Sequence, residues 1–387
     1  MIINSSPIEQ TVDRDERARF LKELVVVRAT SEDDPEGAPL AMIRKRALRA
    51  SAGVVDAPRT PPDGHTPDRG TRLSSNVEAA PTLAPVVLLH GYGQNRYAWH
   101  LPSRSLFNYL AVAGFDVFNL ELRGHGRSRH LGAHPPRRIS EFVEHDVPAA
   151  IDEVQRLSGG RPVYLVGHSL GGLISYASAA KLGSRVAGVV SLGSPYQFTR
   201  GSWSLSFIAT VMSALEKTTL PASLASTAIE LRPLSETVRL LRAFIESPIF
   251  PLPIRGFVPG SLEPNVLSQH MALAMDVGSV AVLRMMFMGA AEARRGGKCL
   301  GELTDYADAF EGLSTPLLVI AGTKDDLAPP ASVEPAYLRS RSPDKTYRTF
   351  PRGHLDLIVG RDSPQTIWPL IQSWLLQHAR KGERRAA

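Results

Sequence analysis

Short, nearly unbroken apolar runs recur along this chain, and stretches whose apolar positions repeat at helical spacing separate them. Residues 86–89, 115–120, 163–166, 186–192 and 317–321 each hold four to seven residues, most of them Val, Leu, Ile or Phe, and Tyr-Arg-Thr-Phe over 347–350 reads as a last short strand. That length and composition fit strands covered on both faces, as in a parallel sheet. Earlier, residues 24–27 and 40–48 predict two strands of an opening antiparallel hairpin. Residues 141–157 place Phe142, Val147, Ala150, Ile151 and Val154 on one helical face, and residues 365–380 do the same with Ile367, Leu370, Ile371, Trp374 and Leu375. Both faces read as core. Strands alternating with helices predict the α/β class, with a mostly parallel central sheet flanked by helices.

Three stretches break the pattern. Residues 1–22 are charged and read as a helical or loose leader. Between 51 and 82 the composition shifts to Pro, Gly, Asp, Arg and Thr, too poor in apolar groups to offset ordering entropy, which predicts a mobile loop. Residues 196–312 form an insert after the sixth predicted strand. Helical pieces are expected there at 203–215, 235–245 and 266–291, the last carrying Met271, Met275, Met285, Met286 and Met288, with prolines at 248, 251, 253, 259 and 264 between them. The expected organisation is a leader over 1–22, one core part over 23–195, a helical cap over 196–312 and a second core part over 313–387. An apolar inner face of that cap would suit a lipophilic acyl chain, methionine being adaptable in shape.

Chemistry gathers at the ends of the apolar runs. The run Val-Tyr-Leu-Val-Gly-His-Ser-Leu-Gly-Gly over residues 163–172 reads as a strand that breaks at Gly-x-Ser-x-Gly and continues as a helix. Such a turn strains Ser169, and side chains at Gly167 and Gly171 would collide there. The serine hydroxyl then stands exposed at the positive end of the following helix. Upstream, the run over 85–89 ends in His90-Gly91-Tyr92-Gly93. Downstream, the run over 316–322 is followed by Asp325 and Asp326, and the last short strand by Pro-Arg-Gly-His354-Leu-Asp356. The order Ser…Asp…His is that of a nucleophile, its orienting acid and its general base.

On these motifs, together with Arg-Gly-His-Gly-Arg-Ser over residues 123–128, the chain resembles serine α/β-hydrolases with an inserted cap, nearest in pattern to lipases and esterases. The resemblance covers residues 23–195 and 313–380. It implies Ser169 as nucleophile, His354 as general base, and Asp325, favoured over Asp326, as the acid. Asp356 could act as an outer partner of the histidine. The backbone N–H groups of Tyr92 and Leu170 would form the oxyanion hole, with Gly91 and Gly93 allowing close approach and His90 fixing the loop rather than acting as a base. The stretch from His354 to Gly360 resembles the histidine region of acid lipases and of polyhydroxyalkanoate synthases, but those synthases carry cysteine where this chain has Ser169. Epoxide hydrolases and haloalkane dehalogenases place aspartate there. The expected activity is cleavage of a carboxylic ester, with thioester, acyl-transfer or carbon–carbon bond chemistry on the same residues as alternatives. A binding protein that has lost catalysis on this fold is the alternative of another class.

Composition adds boundaries. The chain has 387 residues, 43% hydrophobic and 21% charged, ordinary for a globular protein. Its one cysteine, Cys299, excludes an intrachain disulfide and favours a reducing compartment. No zinc-spaced Cys/His cluster or Gly-rich phosphate loop is present, so no metal or cofactor is expected. The net charge of +6 is spread along the chain, densest at Arg44-Lys45-Arg46 with Arg49 and at Arg380-Lys381 and Arg384-Arg385; these clusters read as a solvated strand edge and a frayed tail rather than a patch for anionic surfaces. Nothing resembles a nucleic-acid fold, a signal peptide or the ~18-residue apolar run of a membrane span. The expected partner is a small lipophilic ester, without stable membrane insertion, and the expected location is cytoplasmic.

Overall fold

The computed structural model describes residues 9–15, 18–48, 79–207, 210, 228–241, 255–294 and 304–386. The expected loop at 51–82 lies outside the described residues apart from 79–82. So do Arg49, Cys299, the insert segments 211–227 and 242–254, and most of the helix expected over 203–215.

Nine strands form one sheet: β1 (Glu9–Arg14), β2 (Arg19–Ala29), β3 (Ala38–Ala47), β4 (Pro85–Leu89), β5 (Asp116–Glu121), β6 (Val163–His168), β7 (Val186–Leu192), β8 (Leu317–Gly322) and β9 (Lys345–Phe350). Their spatial order is β1-β2-β3-β5-β4-β6-β7-β8-β9. From β5 to β9 every pairing is parallel, and from β1 to β5 along the other wing every pairing is antiparallel. The inner strands alternate side chains between two cores. Val87 and Leu89 of β4, Leu165 of β6 and Val319 of β8 face one, with helices α2 (Val147–Leu157), α3 (Leu170–Leu182) and α4 (Pro330–Arg339). Val86 and Leu88, Val166, and Ile320 face the other, with α1 (Leu106–Val112) and α5 (Ile367–Ala386). This two-sided burial explains why the strands read as continuous apolar runs.

Three expectations are corrected. The leader is neither helical nor loose over residues 9–14, which pair with β2 as an additional edge strand. The insert therefore follows the seventh strand of the sheet, β7. The helix expected over 266–291 is broken: residues 264–274 are helical, Val277–Ser279 is extended and pairs with Ala228–Glu230, and a new helix runs over Val280–Arg294. Tertiary hydrogen bonding outweighs helix propensity there, as the backbone at Met275 and Asp276 pairs with the loop after β4.

The third correction concerns charge. Arg44 and Lys45 do not edge a solvated strand; both are buried in β3. The Arg44 guanidinium donates to both carboxylate oxygens of Asp116 at 2.8 Å and to Glu23 at 3.1 Å, and lies 5.2 Å from the centre of the Phe118 ring. The Lys45 ammonium donates to Asn108 Oδ1 at 2.8 Å, pairs with Asp13 of β1 and sits near the rings of Phe20 and Phe107. Burial pushes its pKa down to about 8, against the pull of Asp13. The unexpected edge strand thus supplies a counter-ion to a buried lysine. Among the described residues no helix is long and apolar enough to cross a membrane.

Breaking the Arg44 cluster strands the fully buried Asp116. The variant Arg44→Met is expected to lower stability by about 3–5 kcal/mol, measured by urea unfolding.

Candidate active site

Strand β6 runs outward through the middle of the sheet and ends at His168. Ser169 then turns the chain with φ 53° and ψ −122° before α3 begins at Leu170. Only one other described non-glycine residue, Thr199, has positive φ. Such a conformation costs on the order of 1–3 kcal/mol and persists where packing dictates it. Here the packing is explicit: a side chain on Gly167 would run into the carbonyl of Gly171, and one on Gly171 into the carbonyls of Leu89 and His90 at the end of β4. Ser169 N–H donates to Leu192 C=O of β7 at 3.0 Å, so both neighbouring strands fix the turn. Leu170 is the first residue of α3, where backbone N–H groups have no intrahelical acceptor and the helix end is electropositive.

The loops after β8 and β9 meet beside this turn. His354 Nδ1 donates to Asp325 Oδ2 at 2.8 Å, and both residues are buried. Asp325 Oδ1 accepts the N–H groups of Leu327 at 2.9 Å and Ala328 at 2.7 Å, which orients the carboxylate. Asp326, the competing aspartate, makes no bond to the imidazole and accepts the N–H groups of Arg255 and Gly256. Asp356 likewise makes no bond to the imidazole; it accepts N–H groups from Val258 and Gly353 and the hydroxyl of Ser261. The ring of His354 stands 4.5 Å from that of His168, the residue before Ser169. Gly193, just past β7, has φ 52°, and a methyl group on it would sit 3.1 Å from Asp325 Oδ2 and 3.2 Å from His354 Nδ1. Its lack of a side chain makes room for the pair.

The loop after β4 closes the third side. A methyl on Gly91 would stand 3.2 Å from Ser169 Cβ, which brings the Gly91-Tyr92-Gly93 backbone against the serine. Buried His90 has a lattice of its own: Nδ1 donates to Gly91 C=O at 3.0 Å and Nε2 accepts from Leu122 N–H at 3.3 Å. Burial, with His125 adjacent, lowers its pKa to about 3, so it is a neutral strut. The insert secures the rest of the loop. Gln94 Oε1 accepts Gly91 N–H at 3.2 Å while its amide nitrogen lies 3.3 Å from His270 Nε2. Asp276 N–H donates to Gly93 C=O at 2.8 Å, and the Asp276 carboxylate accepts from Asn95 Nδ2 and from Gly126 N–H.

A family model described as the alpha/beta hydrolase fold matches residues 84–361. The chain belongs to the α/β-hydrolase fold family. Among curated relatives, a monoacylglycerol lipase of Mycolicibacterium smegmatis is 26% identical over 299 residues, 76% of this chain and 88% of that protein. Epoxide hydrolase B of Mycobacterium tuberculosis is 33% identical over 130 residues, and the match spans only 34% of its length. Among solved structures, a thermophilic esterase from Thermogutta terrifontis superposes with a TM-score of 0.54 at 19% identity, covering 92% of this chain and 99% of that one. That likeness is one of fold.

Sequence reasoning missed several residues around this site. Gln94 directly follows the His-Gly-Tyr-Gly motif, but nothing in the sequence shows its amide reaching back to Gly91. Asp276 fell inside a stretch that reads as one helix, and Gly193 carries no pattern at all. His168, the variable position of the elbow motif, donates from Nε2 to the carbonyl of His354 at 3.2 Å. Burial drives its pKa well down, so it faces His354 uncharged. In the Arg-Gly-His-Gly-Arg-Ser stretch, Arg123 pairs with Asp146 and Glu141 and Ser128 accepts the N–H of Ala41. That motif ties the loop after β5 to β3 and to the segment ahead of α2, and its Gly126 N–H reaches Asp276 beside the loop after β4.

Burial disfavours a charged His354, but the Asp325 carboxylate outweighs it and raises the imidazole pKa. In an NMR titration of the histidine rings, His354 is expected to take up its proton above the usual value of about 6.5, while His90, His168 and His270 stay neutral down to pH ~5. Replacing the partner in Asp325→Asn is expected to move the His354 midpoint downward.

Proposed function

We propose that the chain is a serine hydrolase that cleaves carboxylic esters, of lipophilic acyl substrates, through Ser169, His354 and Asp325. The His354–Asp325 hydrogen bond beside the strained Ser169 turn carries this reading. With Nδ1 donating to Asp325, the lone pair of His354 Nε2 remains to accept the Ser169 proton. Ser169 Oγ attacks the ester carbonyl, and the N–H groups of Tyr92 and Leu170 stabilise the oxyanion, each such donor being worth about 3 kcal/mol in the transition state. His354 passes its proton to the departing alcohol, leaving an acyl-serine. It then takes a proton from water, whose attack on the acyl carbonyl releases the acid and restores Ser169. The similarity to a monoacylglycerol lipase over most of that protein supports a lipophilic acyl ester.

The stretch similar to Epoxide hydrolase B favours a second reading, opening of an epoxide. Chemistry weighs against it. Attack by Ser169 Oγ on an epoxide carbon would give a serine ether, which has no carbonyl for water to attack.

Incubation with an organophosphonate is expected to add one phosphonyl group at Ser169, located by peptide mass spectrometry. Hydrolysis of nitrophenyl esters from acetyl to palmitoyl should show a chain-length optimum, and Ser169→Ala should lower kcat on the order of 10⁶-fold. A wild-type protein that neither labels nor turns over any ester would overturn the assignment.

A further inference from the structure

The two carboxylates that lost the contest for His354, Asp326 and Asp356, are both buried or half-buried beside it and both spend their oxygens on one segment of the insert. Asp326 Oδ2 accepts Arg255 N–H at 2.6 Å and its Oδ1 accepts Gly256 N–H at 3.0 Å. Asp356 Oδ2 accepts Val258 N–H and Gly353 N–H, each at 2.9 Å, and its Oδ1 accepts the Ser261 hydroxyl at 2.7 Å. Between these bonds the carbonyl of Gly256 accepts Leu355 N–H at 2.8 Å, and the carbonyl of Ser261 accepts Arg361 N–H at 2.9 Å. Phe257 is buried against Gly353, where a methyl would come within 2.9 Å of Phe257 Cα.

The consequence falls on His354. The N–H before it, on Gly353, is tied to Asp356; the N–H after it, on Leu355, is tied to the insert; its own carbonyl is tied to His168. We propose that Asp326 and Asp356 are positioning residues, which fasten residues 255–261 across the loops carrying Asp325 and His354 and so hold that pair in register for Ser169. This deepens the proposed serine-hydrolase reading and rests on it. A Pro-Arg-Gly-His loop has no regular secondary structure to steady it, and a histidine that must deliver a proton tolerates only about 0.5 Å of drift. Backbone N–H groups bonded to a buried carboxylate are strong, charge-assisted contacts, which offset the cost of burying the charge. The charged and titratable groups facing His354 are Asp325, Asp326, Asp356 and the uncharged His168 ring, with Arg352 near Asp356 and paired with Asp362. Asp326 and Asp356 also add to the raising of the His354 pKa.

The test compares Asp326→Ala, Asp326→Asn, Asp356→Ala and Asp356→Asn with wild type in the full chain, by ester kinetics, pH profile and hydrogen exchange. The alanine variants are expected to lose kcat by about 10- to 100-fold with KM changed little, and to exchange faster in peptides covering 255–261 and 353–361. Asp356→Asn, whose amide oxygen can still accept from Val258 and Gly353, should recover most of that kcat, while the acid limb of kcat moves to lower pH because a negative charge has left the imidazolium. Unchanged exchange in both peptides, or a kcat and acid limb like wild type in the alanine variants, overturns the proposal. If alanine variants do not fold, Asp326→Asn decides it: an amide has one oxygen for the two N–H groups of Arg255 and Gly256, so faster exchange over 255–261 is expected and exchange like wild type overturns the proposal. If wild type shows no ester turnover and no phosphonate labelling, the hydrolase assignment fails by itself, and the exchange comparison still decides whether the carboxylates fasten the segment.

Discussion

The turn at Ser169 is the constraint from which the site follows. A residue at φ 53° with a side chain is disfavoured in any chain, and it survives here because the carbonyls at the end of β4 and of the first turn of α3 leave room only for hydrogens at Gly167 and Gly171. Those contacts have a second effect. They press the end of β4 against the elbow, so the loop that begins at His90 emerges beside Ser169 and not elsewhere. The hydrogen bond from Ser169 N–H to Leu192 C=O does the same for the exit of β7, where Gly193 opens space for Asp325 and His354. One strained dihedral angle, held by two neighbouring strands, sets where three loops meet.

The insert is a structural partner of that meeting point. Its residues 270–279 bind the loop after β4 through Gln94, Asn95 and the backbone of Gly93, and its residues 255–261 lie across the loops after β8 and β9. Asp276, Asp326 and Asp356 each sit at such a junction and each accept several donors. Acceptor-only groups with two oxygens suit this task, since loops offer N–H groups that no strand or helix satisfies. The insert therefore shares hydrogen bonds with the loops after β4, β8 and β9, and what displaces one partner is felt by the other.

The charge of the chain is likewise organised from within. Part of the formal excess of +6 lies in a basic run that is buried in β3 and neutralised by Asp116, Glu23 and Asp13, so it is not presented to solvent. The edge strand β1 is held by this arrangement as well as by its ladder, because Asp13 brings the counter-ion that Lys45 lacks within the sheet.

The sequence by itself determined the strands whose two faces are both buried, the helices with a continuous apolar face, and the motifs at strand ends. These are local signals: an apolar run, a helical period, a glycine pair around a serine. It offered Ser169, Asp325 and His354 in that order along the chain and favoured Asp325 over Asp326; in the structure it is Asp325 that bonds His354. It did not determine β1, whose six residues carry little apolar character and pair only because β2 and Lys45 await them. Nor did it determine the break in the helix at Val277–Ser279, the roles of Gln94, Gly193 and His168, or the hold of Asp326 and Asp356 on the insert. Each of these depends on groups distant in the chain, and the physical reason is common to them all. A hydrogen bond or a close approach between remote segments leaves no periodicity in the sequence, so only the folded structure decides it.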